Sequence, residues 1–519
     1  MRPLLTALVL SLATVTNVAG QQPARSPFES AAASAARNRI DELVFARLTR
    51  LGLQPVRPAS DAVFLRRAFL DVIGTLPTAD EARAFLDDPS PDKRSALVDR
   101  LLDRDEFADY WAMKWGDVLR MKSEFPINLW PNAVQAYHHY VRTSLRNNLP
   151  FDRFARELLT ASGSNFRVPQ VNFYRAVQSR DPKAIAASVA LVFMGTRLET
   201  WPADRQAAMA AFFSQIGYKA TGEWKEEIVF FDPDKGSRGS VLPDGTTVRL
   251  PASDDPREAF AAWLASPKNP WFARAAVNRV WFWLMGRGIV QDADDIRPNN
   301  PPSNPELLTY LEREFQASRF DLKALYRLIL NSTTYQLSSI PAKGGAEADA
   351  NFAHALIRPL DAEVLVDAVC QITGTSEQYS SAIPEPFTFI PPEQRSIALA
   401  DGSIRSAFLE TFGRPPRDTG LLSERNSRPS ASQRLYLLNS AEVQRKLQQG
   451  PKMQALLQAR GDLNEVVTNL YLTLLSRFPT EEELKIATTY AQSGGGNRRQ
   501  AGQDLAWALV NSAEFRFRH

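Results

Sequence analysis

Residues 63–86 read VFLRRAFLDVIGTLPTADEARAFL, and their punctuation decides the fold class. Gly74 and Pro77 stop one helix, and the Thr78-Ala-Asp-Glu81 segment has the spacing of a capping box. In that arrangement a hydroxyl and a carboxylate each satisfy a free backbone N–H at the start of a second helix. The same grammar extends outward. Upstream, Ile40, Leu43, Val44, Leu48 and Leu51 recur at helical intervals, and Gly52 closes them. Downstream, Ser90 and Pro91 open KRSALVDRLLDRDEF, the serine as cap and the proline in the first turn, where its missing N–H is no loss.

Further helices are expected at about 133–147, 151–161 and 182–195, then from Asp254 onward at about 255–266, 270–286, 304–317, 321–332 and 359–373. An irregular stretch runs through Pro384, Pro386, Pro391 and Pro392, and helices return near 431–448, 463–476, 481–492 and 499–512. Between about 200 and 253 the pattern changes: EEIVFF, a DPDKGSRGS loop and PDGTTVRLP read as a small β-hairpin or ribbon. The expected architecture is mainly α and multi-helical, in two domains. Its parts are a signal peptide at 1–20, a linker at 21–36, an N-terminal helical domain at 37–200, a connector with short strands at 201–253 and a C-terminal helical domain at 254–519.

An internal echo is visible. FLDVIGTLPTADE (69–81) resembles YLTLLSRFPTEEE (471–483), and ALVDRLLDRDEF (96–107) resembles DLAWALVNSAEF (504–515). Two copies so far apart do not make a solenoid, so they read as similar helical hairpins at the two ends of the fold.

The opening residues, MRPLLTALVLSLATVTNVAG, combine one early arginine, an apolar run from Leu4 to Val15 and small residues at Val18 and Gly20. That is the pattern of a secretory signal cleaved before Gln21. The run is shorter than the roughly 20 apolar residues of a membrane span, and no later segment qualifies. The mature chain is therefore expected to be exported, to periplasm or cell surface, with no integral membrane span. A formal net charge of +3, with both signs mixed along the helices, excludes the basic footprint of a nucleic-acid partner. Cys370 is the only cysteine, which excludes an intramolecular disulfide, a Cys-rich zinc site and a covalent c-type haem. It falls at helical spacing with Leu365, Val366 and Val369, as a buried small hydrophobe would.

Chemistry is densest in residues 278–308, NRVWFWLMGRGIVQDADDIRPNNPPSNPELL. Asp292, Asp294, Asp295, Asn299 and Asn300 offer the oxygens that calcium takes, yet Ile296 and Arg297 stand where an EF-hand needs a ligand and a turn glycine. Arg287 and Arg297 are ready partners for the carboxylates, so the loop reads as a polar corner tied by ion pairs, with no metal expected. Trp263, Trp271, Trp281 and Trp283 lie on helices apolar enough to turn them into the core instead of towards a sugar. His138 and His139 are helical neighbours pointing roughly 100° apart, and His354 and His519 have no companion motif. No nucleophile elbow, Walker loop, zinc-protease helix or dinucleotide fingerprint occurs, so no cofactor is expected. Asp71, Asp117, Glu157 and Glu424 are carboxylates that a hydrolase could bring together from distant segments. Asp71 follows Arg66 and Arg67 by about one turn and is expected to pair with them inside the helix.

These segments resemble two domains of unknown function found in exported proteins of planctomycetes and verrucomicrobia. FLRRAFLDVIGTLPT, KRSALVDRLL and LPFDRFARELL are similar to the cytochrome-associated PSCyt-two domain. NPWFARAAVNRVWFWLMGRGIV, DDIRPNNPPSNPELL, FDLKALYRLILNSTTYQLSS, FGRPPRD and LVNSAEF are similar to its usual partner, PSD-one. The chain departs from its relatives in three places. Many carry a Cys/His-bearing segment after a stretch like FMGTRL, where this chain reads ETWPADRQAAMAAFF, and cysteines after one like FGRPPRD, where it reads TGLLSER. Some also have a cytochrome c module before the first helix.

The resemblance implies an exported helical protein of a periplasmic or surface assembly, linked to the processing of complex polysaccharides. One reading is a non-catalytic binding or scaffold module whose ligand is an envelope protein or a polysaccharide. The alternative is a hydrolase or lyase on an extracellular polymer, worked by a polar cluster of Arg279, Arg287, Asp292, Asp294, Asp295, Arg297, Asn299, Asn300, Arg414 and Glu424. Convergence of these groups in one roomy cleft favours the enzyme; mutual pairing favours the binding protein. A redox role is disfavoured, because one Cys and isolated His residues give no covalent haem or iron–sulfur ligation.

Overall fold

The computed structural model describes residues 27–426, 428–459, 462–493 and 498–519. The expected signal peptide and the start of the linker lie outside the described residues. The fold is mainly α: the described residues form 24 α-helices, with two small antiparallel sheets beside them. No helix among the described residues is long and apolar enough to cross a membrane.

The opening stretch folds as its punctuation dictates. Helix Asp61–Val72 stops before Gly74, whose φ of +61° is a left-handed conformation. The Tyr110 ring lies against this turn, 2.5 Å from where a Cβ would be, so a side chain here would meet both backbone strain and a clash. Helix Ala79–Asp87 then starts at Thr78, whose hydroxyl accepts from the Glu81 N–H at 3.2 Å while the Glu81 carboxylate accepts from the Thr78 N–H at 2.8 Å. Lys93–Asp103 and Asp105–Val118 follow, then Pro131–Arg146, Phe151–Thr160 and Pro182–Met194. The stretch expected as one helix near 431–448 is two, Ala431–Asn439 and Ala441–Gln449, because the Ser440 hydroxyl caps the Val443 N–H and turns the chain.

The connector contains a hairpin, but its strands are not paired as the sequence pattern implied. Strand β1 is Gly163–Ser164, β2 is Ile216–Ala220 and β3 is Glu227–Phe231, in the order β1-β3-β2. The apolar EIVFF strand pairs with the upstream IGYKA across a turn at 221–226 and with Gly163–Ser164 on its other edge. The downstream PDGTTV segment adds only an isolated bridge between Val241 and Thr247, since its Pro, Asp and Gly residues favour turns over a ladder. A second sheet joins β4, Arg358–Pro359, to β5, Phe517–Arg518.

One hydrophobic core runs from Ile40 to Phe515. Aromatic rings carry it between the two halves. Phe151 stacks on Phe272 at 5.2 Å, and Trp111 and Trp115 of helix Asp105–Val118 meet Trp283 of helix Phe272–Met285 at 5.4 and 5.3 Å. Trp281 is fully buried.

The two echoed hairpins do not sit at opposite ends of the fold. Helix Ala79–Asp87 packs on helix Leu463–Leu475, and the Arg83 guanidinium donates to Asn469 and lies over the Phe478 ring. Arg66 makes the join specific. It donates to the Leu474 carbonyl at 2.8 Å, satisfying an end of helix Leu463–Leu475, and to the Phe515 carbonyl at 2.9 Å.

Candidate functional site

The aspartate loop is a corner held together by its own contacts. Asp292 is exposed in a turn at φ 58°, Asp294 and Asp295 are buried, and Asn299 is exposed. The Asp294 carboxylate takes the buried Arg279 guanidinium at 3.3 Å and the Leu422 N–H at 2.7 Å. Arg279 also donates to the Val192 and Leu191 carbonyls, at the end of helix Pro182–Met194. Asp295 pairs with Arg297 at 3.0 Å, and the Asn300 amide donates to the Gln291 and Asp295 carbonyls. The carboxylates therefore diverge towards different partners. Arg287 is half-buried and joins no ion pair among the described residues.

Arg414 and Glu424 lie on the loop that also supplies Leu422, but they face elsewhere. Arg414 donates to the Ile404 and Asp401 carbonyls, and its guanidinium, 3.6 Å from Glu363, is pushed down to about 10 by burial and by nearby Arg417. Glu424 accepts from the Thr419 N–H at 2.8 Å, and burial raises its carboxyl.

The expected pairing of Asp71 with Arg66 and Arg67 does not occur. Arg67 donates to the carbonyls of Tyr335, Leu337 and His519, as Arg66 does to those of Leu474 and Phe515. Asp71 takes Arg518 at 2.9 Å and Arg358 at 3.4 Å and accepts from the Tyr335 hydroxyl at 3.0 Å. A buried guanidinium has five N–H groups to satisfy, and the backbone carbonyls that crowd this helix offer more acceptors than one carboxylate.

Asp71 opens a buried ion network that ties five segments into one block. Arg518 also reaches Asp361 at 2.9 Å, and Asp361 holds Lys114 at 2.8 Å and Arg425 at 3.5 Å. Arg425 continues to Asp117 at 2.7 Å and Glu363 at 2.6 Å, and Asp117 binds Arg417 at 2.9 Å. Arg417 passes over Gly116, whose Cβ would fall 3.1 Å from the guanidinium carbon, so a side chain there would press the guanidinium outward by a few tenths of an ångström. Burial alone would raise Asp361, but Lys114, Arg518 and Arg425 pull it well below the usual carboxylate range. Lys114 is pushed down to about 8, since burial and the two arginines outweigh Asp361. Sequence reasoning singled out Asp71 and Asp117 here and missed Lys114, Arg358, Asp361, Glu363, Arg417, Arg425 and Arg518. No local spacing marks them, because each partner comes from a different segment.

His138, His519 and Cys370 are quiet groups. Burial pushes His138 down to about 3 and His519 to about 4, so both imidazoles are neutral at pH 7. Burial pushes the half-buried Cys370 thiol up to about 11, although Lys446 Nζ lies 3.6 Å from its sulfur. Near it is a cleft of about 450 Å³ whose lining includes Asp367, Cys370, Glu377, Glu106 and Arg395. Asp367 is bound by the Ser396 and Ile397 N–H groups and Glu377 by the Ser406 hydroxyl; burial raises both carboxyls.

A second surface feature went unseen in the sequence because its rings lie in loops without periodicity. The loop before helix Pro131–Arg146, the β2–β3 turn and the proline-rich loop near 384–390 bring Trp130, Trp224 and Phe387 together. Trp130 is the hub, 6.2 Å from Trp224 and 5.3 Å from Phe387, with both rings packed edge to face. Lys225 Nζ sits over the Trp130 and Trp224 rings at 5.0 and 5.3 Å. Phe125 (85 % exposed), Phe389 (68 %) and Trp224 (67 %) leave large apolar faces in water on these same loops. Aromatic residues between Gly, Pro and Asn turn residues were the available signal.

The helical fold, the buried ion network and this aromatic surface belong to a helical protein whose described residues share one core. The chain belongs to the proteins that carry a PSCyt2 region followed by a PSD1 region. The PSCyt2 model, a protein of unknown function (DUF1549), matches residues 39–203, and the PSD1 model, a protein of unknown function (DUF1553), matches residues 256–491. No curated protein and no solved structure matches the chain.

Proposed function

We propose that the chain is a non-catalytic binding or scaffold protein of an exported, periplasmic or cell-surface assembly, where it holds a polysaccharide or an envelope protein partner. The observation that carries this reading is the mutual consumption of its charged groups. Asp71, Asp117, Asp361 and Glu363 each face arginines inside the protein, and Asp294 faces Arg279. A catalytic carboxylate has to exchange a proton with substrate or water, and these are dry and locked in ion pairs.

The reading is tested by incubating the mature protein with neutral and sulfated polysaccharides and assaying reducing ends and unsaturated products. Absence of turnover, together with recovery of a polysaccharide or protein from envelope extract, is the expected result. Turnover that disappears in Asp367→Asn would place an active site in the Cys370 cleft and overturn it.

A further inference from the structure

We propose that the Trp130 platform binds a neutral pyranose polymer by stacking sugar rings on its aromatic faces. The proposal rests on the binding-protein reading above and names its ligand.

Three loops far apart in sequence converge on this patch, where the exposed Trp224 and Phe387 rings meet on half-buried Trp130, and exposed rings gathered in this way mark a surface that meets something. Interplanar angles of 82° and 62° mean that Trp224 and Phe387 meet Trp130 edge to face, so neither outer ring is sealed by parallel stacking; Lys225 Nζ covers one face of Trp130 and of Trp224, which leaves the other face of exposed Trp224 and the Phe387 ring to a ligand. Aromatic faces carry partial negative charge and attract the weakly positive C–H groups on one face of a sugar ring.

The platform is also framed in advance. Trp130 has φ 74° and Lys225 φ 61°, left-handed values that a bulky side chain adopts only under strain and that cluster at binding sites. The loop is closed by Leu129 N–H donating to the Lys122 carbonyl at 3.2 Å. It is anchored from outside by Asp401 accepting from Ser123 N–H and by the Ser403 hydroxyl accepting from Glu124 N–H, both at 3.0 Å. A surface held this way loses little freedom on binding.

Charge selects among ring-shaped ligands. Lys122 pairs with Asp418 at 2.7 Å and Arg405 with Glu124 at 3.1 Å. Lys225 is flanked in the chain by Glu223 and Glu226, and Glu385 lies on the third loop. Single-stranded nucleic acid would need a basic groove beside the rings to follow its phosphates, and a polyanionic glycan would need the same excess of positive charge. Neither excess exists here. A neutral polymer needs only ring faces and a rim of hydrogen-bonding groups, which Asn128, Glu124, Lys225 and Arg405 supply.

The test is calorimetric titration of the full mature chain with soluble β-glucan, xylan and galactomannan as neutral probes and alginate as the anionic one. It is run at low salt and again at about 0.5 M, where screening removes surface electrostatics. The expected result is binding to at least one neutral polymer, with affinity unchanged by salt. Trp224→Ala and Phe387→Ala, both at exposed side chains that touch Trp130, should each weaken it about tenfold, which is 1.4 kcal/mol. Ile486→Ala, an exposed apolar residue elsewhere, should leave it intact. Binding to no neutral polymer, binding only to alginate with loss in salt, or binding indifferent to Trp224→Ala overturns the proposal. If no glycan binds but an envelope protein is captured and lost in Trp224→Ala, the platform is a protein interface. The proposal then fails while the binding-protein reading stands; polysaccharide turnover would instead remove that reading itself.

Discussion

Neutralising Asp361 tests whether the buried ion network holds the two halves together. Asp361→Asn keeps the side-chain shape but removes the carboxylate shared by Lys114, Arg518 and Arg425. Removing one partner of a buried pair costs about 3–5 kcal/mol, because the remaining charge stays out of water. The structure places this case at the lower end. Arg518 retains Asp71 at 2.9 Å, and Arg425 retains Asp117 and Glu363. Lys114 has an escape that an arginine lacks: its ammonium is already lowered to about 8 with Asp361 raising it, so without Asp361 it sheds the proton at pH 7 for less than about 1.4 kcal/mol. For a chain of this length the unfolding entropy is roughly 1 kcal/mol per degree, so scanning calorimetry at a fixed rate should show the midpoint about 3 °C lower. Asp99→Asn, which breaks a half-exposed pair with Arg327, should move it by less than about 1 °C. An Asp361→Asn protein that melts within about 1 °C of the parent, or an Asp99→Asn protein that loses as much, refutes the reasoning.

Other consequences can be checked alongside. Thr78→Ala removes half of the capping box on helix Ala79–Asp87 and should destabilise by about 1 kcal/mol in urea titrations without changing their slope. On the acid side, the folded values of His138 and His519 are depressed, so the unfolded chain binds more protons between about pH 6.5 and pH 4 and stability falls as pH falls through that window. His138→Gln should reduce the proton uptake on unfolding at pH 5 by about one proton, measured from the pH dependence of the denaturation midpoint. Cys370, with its thiol raised to about 11, should react with a thiol reagent at pH 7.5 more than about 100-fold slower than a free cysteine, and at the free rate once the chain is unfolded in guanidinium.

Much of the local structure was legible because it depends on neighbours in sequence. Thr78 and Glu81 are three residues apart, and the capping box needs nothing else. For the aspartate loop the sequence offers Arg297 and Arg287 as partners: Arg297 does hold Asp295, but Asp294 goes to Arg279 on the preceding helix and Arg287 pairs with neither. Side chains on a helix can be assigned a face, but the carboxylate that comes to lie opposite depends on how a later segment docks.

Periodicity, caps and turn residues determined a mainly helical chain with a small hairpin, because those signals act over a few residues through backbone hydrogen bonding and side-chain direction. Tertiary structure alone decided that the two echoed hairpins touch, that EIVFF pairs upstream, and that Asp71 answers to Arg518 from the far end of the chain. It alone decided that Trp130, Trp224 and Phe387 share one surface. Those outcomes are set by burial: a charge or ring takes whichever partner the packed core leaves within reach, and sequence separation carries no information about that distance.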